Sequence, residues 1–279
     1  MAETTRRAER ECPPGEGAVR EFLLGTMTDL CVSMPDVGRG RTLPSWVDAS
    51  HPRGVGPAPS SPGDVGWLEP FPDDLLPQTG LEIPPYEPRE SVSLEFVGAL
   101  QGLSPPARAR LLLGHEDSPP ADIEADHAAF EYAYDREAGR REPPPEADAG
   151  PLLMRYIFNW ESAGPEGMEA MLSDGVVLQN VPSGECFIGR DEVLRHLATG
   201  PLRRGEGPLW RLLPRRANGQ MAFGAYVCMG SRQPFASHSI QVLYFDGSLV
   251  SEMIVFEYPR LFNLFDLLDE LAPQGVRQA

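Results

Sequence analysis

The sequence lacks lysine altogether and has little cysteine, and each absence excludes a kind of site. All 24 basic residues are arginines, against 41 acidic residues, which gives a formal net charge of -17 over 279 residues. A chain this acidic repels the phosphate backbone of nucleic acids unless a local basic patch overcomes the field, and the arginines occur only in short groups. The four cysteines form no CxxC pair, so a zinc site and a disulfide framework are both unexpected.

Long apolar runs are also missing. No stretch reaches the ~20 apolar residues that a membrane span needs, and the charged N-terminus has no apolar signal-peptide core. We therefore expect a cytoplasmic protein with no membrane partner. A Gly-rich phosphate loop and a Gly-x-Ser-x-Gly nucleophile elbow are absent as well. Proline and glycine, in contrast, are abundant at 30 and 28 residues, and they predict irregular structure where they cluster, before Gly150.

Composition and apolar periodicity divide the chain into four parts. Residues 1–74 hold one predicted helix, over Val19–Met34, and a Pro/Gly-rich irregular segment. Residues 75–142 are predicted to be helical and residues 143–150 to be a linker. Residues 151–279 have the pattern of a compact α+β domain, in which helices precede a curved antiparallel sheet.

The clearest local signal is a β-hairpin over Trp210–Val227. Two runs rich in apolar and aromatic residues flank Asn218-Gly219, and this dipeptide supplies the positive φ angles that a tight hairpin turn requires. Three further strands are predicted around it, and an amphipathic helix over Leu261–Leu271 is predicted to close the domain.

Three segments of the C-terminal part resemble the SnoaL-like domain that is fused to a group of bacterial extracytoplasmic-function sigma factors. They are WRLLPRRANGQMAF from Trp210, IQVLYFDGSLVSEMIVF from Ile240 and PRLFNLF from Pro259. The resemblance implies a cone-shaped fold with an apolar pocket between the sheet and the helices. It implies acid/base chemistry on a small apolar molecule with no metal or organic cofactor, and a cone that can form a homodimer through its sheet.

The middle of the chain resembles parts of the same sigma factors. WLEPFPDDLL at Trp67–Leu76 resembles their linker, the segment Arg89–Leu113 resembles the first part of region 4, and Met27–Pro44 resembles the tail of region 2. The DNA-reading parts have no counterpart. Where a recognition helix would present basic or amide side chains, the segment 114–139 holds eight acidic residues. We therefore expect no DNA binding and a small α-helical remnant that packs on the cone as a collar.

Three side chains are candidate acid/base catalysts. His238 lies early in a strand with apolar alternation partners, so it either faces the cavity as a neutral base or is a hydrogen-bonded core or rim histidine. Glu252 is a buried carboxylate if its strand face points inward, and a solvated edge residue if it points outward. Tyr258 precedes Pro259 at a position where many SnoaL-like domains carry Asp. The usual acid is therefore missing, and the tyrosine either orients a substrate oxygen or has no role.

Seven further side chains are candidates for substrate binding. The aromatic ones line a pocket or belong to an ordinary core, and the two glutamines are amides in apolar strands that need hydrogen-bond partners, of which a ligand oxygen is one. They are Tyr156, Trp160, Gln179, Trp210, Tyr226, Gln241 and Tyr244. Strand register decides which of them face the pocket, because a slip of one residue exchanges the two faces of a strand.

Two functions of different classes fit this sequence. The first is a cofactor-independent enzyme of secondary metabolism, a SnoaL-like cyclase, isomerase, lyase or hydrolase that acts on an apolar, polyketide-like substrate. The alternative is a non-catalytic, ligand-sensing transcriptional regulator derived from a sigma factor, whose remnant binds RNA polymerase or a sigma partner. The missing region 2 and the acidic charge favour the enzyme.

Overall fold

The computed structural model describes residues 41–46, 66–76 and 92–104, single positions between 107 and 131, and residues 144–273 apart from 182, 204, 206, 231 and 232. The helix predicted over Val19–Met34 lies outside the described residues. Within them, no helix is both long enough and apolar enough to cross a membrane.

A single curved sheet of seven strands forms the centre of the described structure. Its order is β2-β1-β6-β5-β4-β3, with β7 paired to β5, and the edge strands β2 and β3 do not pair, so the sheet is not closed. Neighbours are antiparallel except β1 and β6, which are parallel. The strands are β1 (Leu172–Val181), β2 (Glu185–Ile188), β3 (Leu209–Ala217), β4 (Gln220–Cys228), β5 (Phe235–Asp246), β6 (Leu249–Phe256) and β7 (Glu270–Leu271).

Four α-helices accompany the sheet in the described part of the chain: α1 (Leu94–Gly102), α2 (Glu146–Phe158), α3 (Pro165–Glu169) and α4 (Arg190–Thr199). α1 begins after Ser93, whose Oγ caps the helix by accepting a hydrogen bond from the Phe96 amide at 3.1 Å. α2 begins inside the stretch interpreted as a linker and continues into a π-helical turn. The predicted α+β class is confirmed.

One face of the sheet, the helix face, packs against α2, α3 and α4. Its core joins Tyr156 of α2 and Leu197 of α4 to strand residues such as Phe223 and Met253, all almost fully buried. Apolar side chains at helical spacing on one side and at alternate strand positions on the other produce this layer, as the sequence pattern indicates.

The opposite face, the outer face, is covered by the chain's own flanking segments. Leu43, Trp67, Leu68 and Leu94 from the N-terminal side, and Leu261, Phe262, Phe265 and Leu267 from the C-terminal side, form one buried cluster with the strands. The described sigma-like segments, residues 41–46, 66–76 and 92–104, therefore pack as a collar on this face. The homodimer expected through the sheet would need the same surface.

The hairpin turn fastens the collar to the sheet. Asn218 and Gly219 have φ angles of 53° and 75°, as the Asn-Gly signal predicts. The Asn218 side chain accepts a hydrogen bond from the Phe71 amide at 2.8 Å and donates one to the Val92 carbonyl oxygen at 2.7 Å. A single bridge between Pro72 and Ala217 adds a backbone pairing beside the turn.

The helix predicted over Leu261–Leu271 does not form. The chain makes a 3-10 turn at Pro259–Leu261, reverses at Asp266, whose φ is 51°, and ends in β7. Arg215 donates hydrogen bonds to the carbonyl oxygens of Phe265 at 2.9 Å and Asp266 at 2.8 Å. Tertiary contacts therefore satisfy the carbonyl groups that a helix would use, and the apolar side chains still reach the sheet.

Candidate functional site

A cavity of about 450 Å³ opens on the helix face, between the sheet and α4. Its volume lies within the range of about 300–1,000 Å³ that is usual for small-molecule pockets. Apolar walls come from residues such as Leu178, Trp210 and Val255. The polar side chains among the lining residues are Asn180, Glu185, His196, His238, Ser239, Gln241 and Glu257.

A β-bulge directs His238 into this cavity. The register between β4 and β5 shifts by one residue between Ala225 and Tyr226, and His238 is the unpaired extra residue opposite. Ile240 and Val242 belong to the outer-face cluster, so strict alternation would have placed His238 on that face too. The bulge redirects the side chain, and such bulges are frequent beside active sites.

His238 has the surroundings of a neutral base. Its ring meets the edge of Trp210 at a centroid distance of 5.1 Å, and its Nδ1 is buried without a hydrogen-bond partner among the described residues. Burial lowers the pKa of His238 below its ordinary value, so the ring is uncharged at neutral pH. A neutral imidazole can accept a proton there.

The cavity concentrates unpartnered polar atoms. Six buried side-chain nitrogen or oxygen atoms in the described part of the chain have no hydrogen-bond partner. Three of the six belong to residues that line this cavity, namely Trp160 Nε1, His238 Nδ1 and Ser239 Oγ. Buried polar groups in proteins almost always have partners, so three exceptions at one place require an explanation.

Glu257 and His196 stand at the cavity and were not selected from the sequence. Glu257 is exposed at the mouth, yet desolvation by the surrounding protein, with a smaller contribution from the charge of Glu185, raises its pKa. The ring of His196 stacks on that of Phe187, with centroids 4.0 Å apart. Burial lowers the pKa of His196, although the negative charges of Glu185 and Glu192 act in the opposite direction. Glu257 follows the last residue of β6 and lies two positions after Val255, and this alternation was the available signal for the glutamate.

Glu252, Gln179 and Tyr244 lie on the outer face, away from the cavity. Gln179 donates a hydrogen bond to Glu252 and accepts one from the Ser45 amide at 2.8 Å, while Tyr244 donates one to Glu95 at 3.1 Å. These side chains join the collar to the sheet. Neither alternative for Glu252 holds, because its carboxylate is buried, at 3% exposure, on the face away from the cavity, next to a register shift between β5 and β6.

Tyr226 and Tyr258 also lie outside the cavity. Tyr226 packs edge-on against Phe262 at 4.9 Å, on the outer face. Tyr258 lies under the guanidinium of Arg260 at 4.5 Å, and Arg260 in turn makes two 3.0 Å hydrogen bonds to Glu69. Of the ten candidates, His238, Trp160, Trp210 and Gln241 line the cavity, and Tyr156 lies directly behind Gln241.

No three His, Cys, Asp or Glu side chains among the described residues are grouped closely enough to hold a metal ion. The polar groups that line the cavity are imidazole, amide, hydroxyl, indole and carboxyl groups.

Comparison with curated proteins gives a match over most of the chain. SigG of Mycobacterium tuberculosis, an ECF RNA polymerase sigma factor, is 27% identical over 287 residues, which cover 92% of this chain and 72% of that protein. The chain resembles an extracytoplasmic-function sigma factor along most of its length. This match confirms the resemblance stated from the sequence. No protein-family model matches the chain.

Two solved structures are similar in outline. The extracytoplasmic-function sigma factor SigJ of Mycobacterium tuberculosis is 14% identical, with a TM-score of 0.47, and the alignment covers 96% of this chain and 91% of that one. A SnoaL-like protein of unknown function from Burkholderia thailandensis is 16% identical, with a TM-score of 0.33, over 41% of this chain and 97% of its own.

Proposed function

We propose that the cavity binds a small, largely apolar molecule and that His238 and Glu257 exchange protons with it. The three unpartnered polar atoms at the cavity carry this proposal, since a ligand with polar groups would supply the partners that the chain does not. The corresponding enzyme is a cofactor-independent isomerase or cyclase, and a polyketide-like compound has the required mixture of apolar rings and oxygen groups.

Acid/base chemistry fits the two perturbed groups. A general base must be unprotonated at the working pH, and the burial that lowers the pKa of His238 leaves its imidazole unprotonated at neutral pH. Glu257, with its raised pKa, retains a proton to a higher pH than an ordinary carboxyl group and stands where protons can exchange with solvent. His238 would therefore act on the bound molecule, and Glu257 would relay the proton to water at the mouth.

The base can be tested with 5-nitrobenzisoxazole, whose ring opens when a base removes its C–H proton, the N–O bond breaks and a coloured phenolate forms. We expect the protein to accelerate this reaction above buffer, with a rate that rises with pH through a pKa below 6.5 and is flat above pH 7. His238→Gln should abolish the acceleration, whereas Glu69→Gln, on the outer side, should preserve it. Equal rates for the protein and for His238→Gln contradict the proposal.

A second function, ligand-sensing regulation of transcription, is favoured by two observations. The match to SigG spans 92% of the chain, and the sigma-like segments pack directly on the sheet whose other face carries the cavity. Fluorescence anisotropy with labelled protein and purified core RNA polymerase separates the two functions. Tight binding to the polymerase, together with no acceleration of the ring opening, would replace the enzyme with the regulator.

A further inference from the structure

We infer that the cavity selects molecules with a carbonyl oxygen, which accepts hydrogen bonds from Trp160 Nε1 and Gln241 Nε2. The inference rests on the proposed function and names the chemical class of its ligand and the residues that determine it. Tyr156 is the positioning residue of this donor pair, because it contacts both members.

Trp160 supplies a donor that the protein does not use itself. Its side chain is 4% exposed and lines the cavity, and its Nε1 has no partner among the described residues. An indole can donate a hydrogen bond but cannot accept one. Trp210 lines the same cavity, but its Nε1 already donates to the Pro201 carbonyl oxygen at 2.6 Å. One of the two indole N–H groups is thus engaged within the chain, and the other is left to donate to an acceptor on a ligand.

The π-helical turn that carries Trp160 is fixed in place. Glu161, the next residue, accepts hydrogen bonds from the Leu212 amide and from Arg211, each at 2.8 Å. Asn159, the preceding residue, donates one to the Gly167 carbonyl oxygen at 2.7 Å. Anchors on both sides hold the indole without a contact to its own nitrogen, so the donor is preorganised at the cavity wall.

Gln241 supplies the second donor. Its side chain is 1% exposed and lines the cavity, and its Oε1 accepts a hydrogen bond from the Tyr156 hydroxyl at 2.9 Å. A side-chain amide has one oxygen acceptor and an NH₂ donor. Because Tyr156 occupies the oxygen, the amide presents its NH₂ group as the polar atom that is left for a ligand.

Tyr156 brings the two donors together. Its ring stacks on Trp160 with centroids 5.6 Å apart, while its hydroxyl holds Gln241. Phe223 stacks on its other side at 5.0 Å, and the tyrosine is fully buried. The other unpartnered groups at the cavity, the neutral imidazole of His238 and the hydroxyl of Ser239, can donate or accept. The two fixed donors therefore set the preference, which is for an acceptor oxygen.

The test compares two compounds of nearly equal shape, 2-acetylnaphthalene and 2-isopropenylnaphthalene, which differ by a carbonyl oxygen in place of a CH₂ group. Calorimetric titration gives the dissociation constant of each. We expect the full-length protein to bind the ketone about tenfold more tightly, the effect of a hydrogen-bonded pair in a dry site. Trp160→Phe and Gln241→Leu should each reduce this ratio several-fold while the hydrocarbon still binds.

Trp210→Phe is the matched control, because it removes an indole nitrogen that is already engaged. It should change the affinities for both compounds by the same factor and leave their ratio intact. The infrared carbonyl frequency of the bound ketone gives an independent readout, since two donors lower it. Trp160→Phe, Gln241→Leu and Tyr156→Phe should each raise that frequency, which a purely structural role for Tyr156 would not do.

The outcomes separate the two proposals. Equal affinities of the unaltered protein for both compounds overturn the carbonyl preference and leave the binding cavity standing. A preference that survives both Trp160→Phe and Gln241→Leu overturns the assignment of the donors. Binding of neither compound overturns this inference and counts against the proposed function as well.

Discussion

The buried glutamines on the two faces of the sheet differ in how many of their hydrogen-bonding groups have partners. Gln179, on the outer face, uses both ends of its amide, accepting from the Ser45 amide and donating to Glu252. Gln241, on the helix face, uses only its oxygen, toward Tyr156. The outer face is covered by the chain itself, which pairs both ends of this amide. The helix face leaves hydrogen-bonding capacity open at a cavity, which is the arrangement that binding requires.

The largest expected effect comes from neighbouring residues on opposite faces of β6. Ile254→Ala removes a 1% exposed side chain from the filled outer-face cluster and should cost about 2–5 kcal/mol of unfolding free energy. Val255→Ala only enlarges an existing cavity, and should cost less than about 1.6 kcal/mol, near the transfer free energy of two methylene groups. Urea denaturation measures both. Equal costs would remove the distinction between a filled face and an open one.

The next effect concerns the turn that fastens the collar. Asn218→Ala leaves the Phe71 amide and the Val92 carbonyl without their partners and places alanine at a φ of 53°, so we expect a loss of about 2–5 kcal/mol. Asn218→Asp keeps the acceptor for Phe71 and should lose about half as much. Asn218→Gly removes the same hydrogen bonds without straining the backbone, so its loss of stability measures the hydrogen bonds alone. A loss for Asn218→Ala below that for Asn218→Asp, in urea titrations, would contradict this account.

The hairpin and most of the strands followed from the sequence because local chemistry determines them. Asn218-Gly219 requires a tight turn, and the apolar positions on both sides require a buried sheet. The closing helix was predicted from helical spacing over Leu261–Leu271. It does not form, because the segment instead packs on the outer face of the sheet and bonds to Arg215, both of which are distant in sequence. These tertiary contacts outweigh the helix propensity of the segment.

The stability of the protein should depend on pH through His238. Burial depresses the pKa of His238, so the unfolded chain binds its proton more readily than the folded one. The contribution of the neutral ring to stability is present above pH 6.5 and is lost as the pH falls toward the depressed pKa. The unaltered protein should therefore lose more stability than His238→Gln between pH 7 and pH 5 in thermal denaturation. Parallel losses would mean that the ring is not desolvated.

The smallest expected effect lies at the exposed margin of the collar. The hydrogen bonds from Arg260 lower the pKa of Glu69, so their contribution is present above the ordinary glutamate pKa and is lost as the pH falls through the lowered one. Because both side chains are partly exposed, Glu69→Gln should cost below about 1 kcal/mol at pH 7. Urea titration in 0.5 M salt should shrink the difference further, and a salt-independent cost would contradict an ionic origin.

The candidate site was predictable in part. Trp160, Trp210, His238 and Gln241 were selected from residue type and from their positions in predicted helices and strands, and they line the cavity. Glu252, Gln179 and Tyr244 were selected by the same reasoning and lie on the other face. Tyr244 is three residues beyond Gln241 on β5 and so faces the opposite side, but which side carries the cavity, and the bulge that turns His238 toward it, depend on strand pairing that no single-sequence pattern specifies. Residue types can be inferred locally, whereas the facing of a strand depends on its neighbours.

The bulge at His238 has a consequence for how such a protein can change over evolution. One extra residue between Ser237 and Ser239 determines that an imidazole faces the cavity. Loss of that residue would restore regular pairing and remove the imidazole from the cavity, without any substitution elsewhere in the lining. The deletion of a single codon is therefore enough to remove the ring from an otherwise unchanged scaffold.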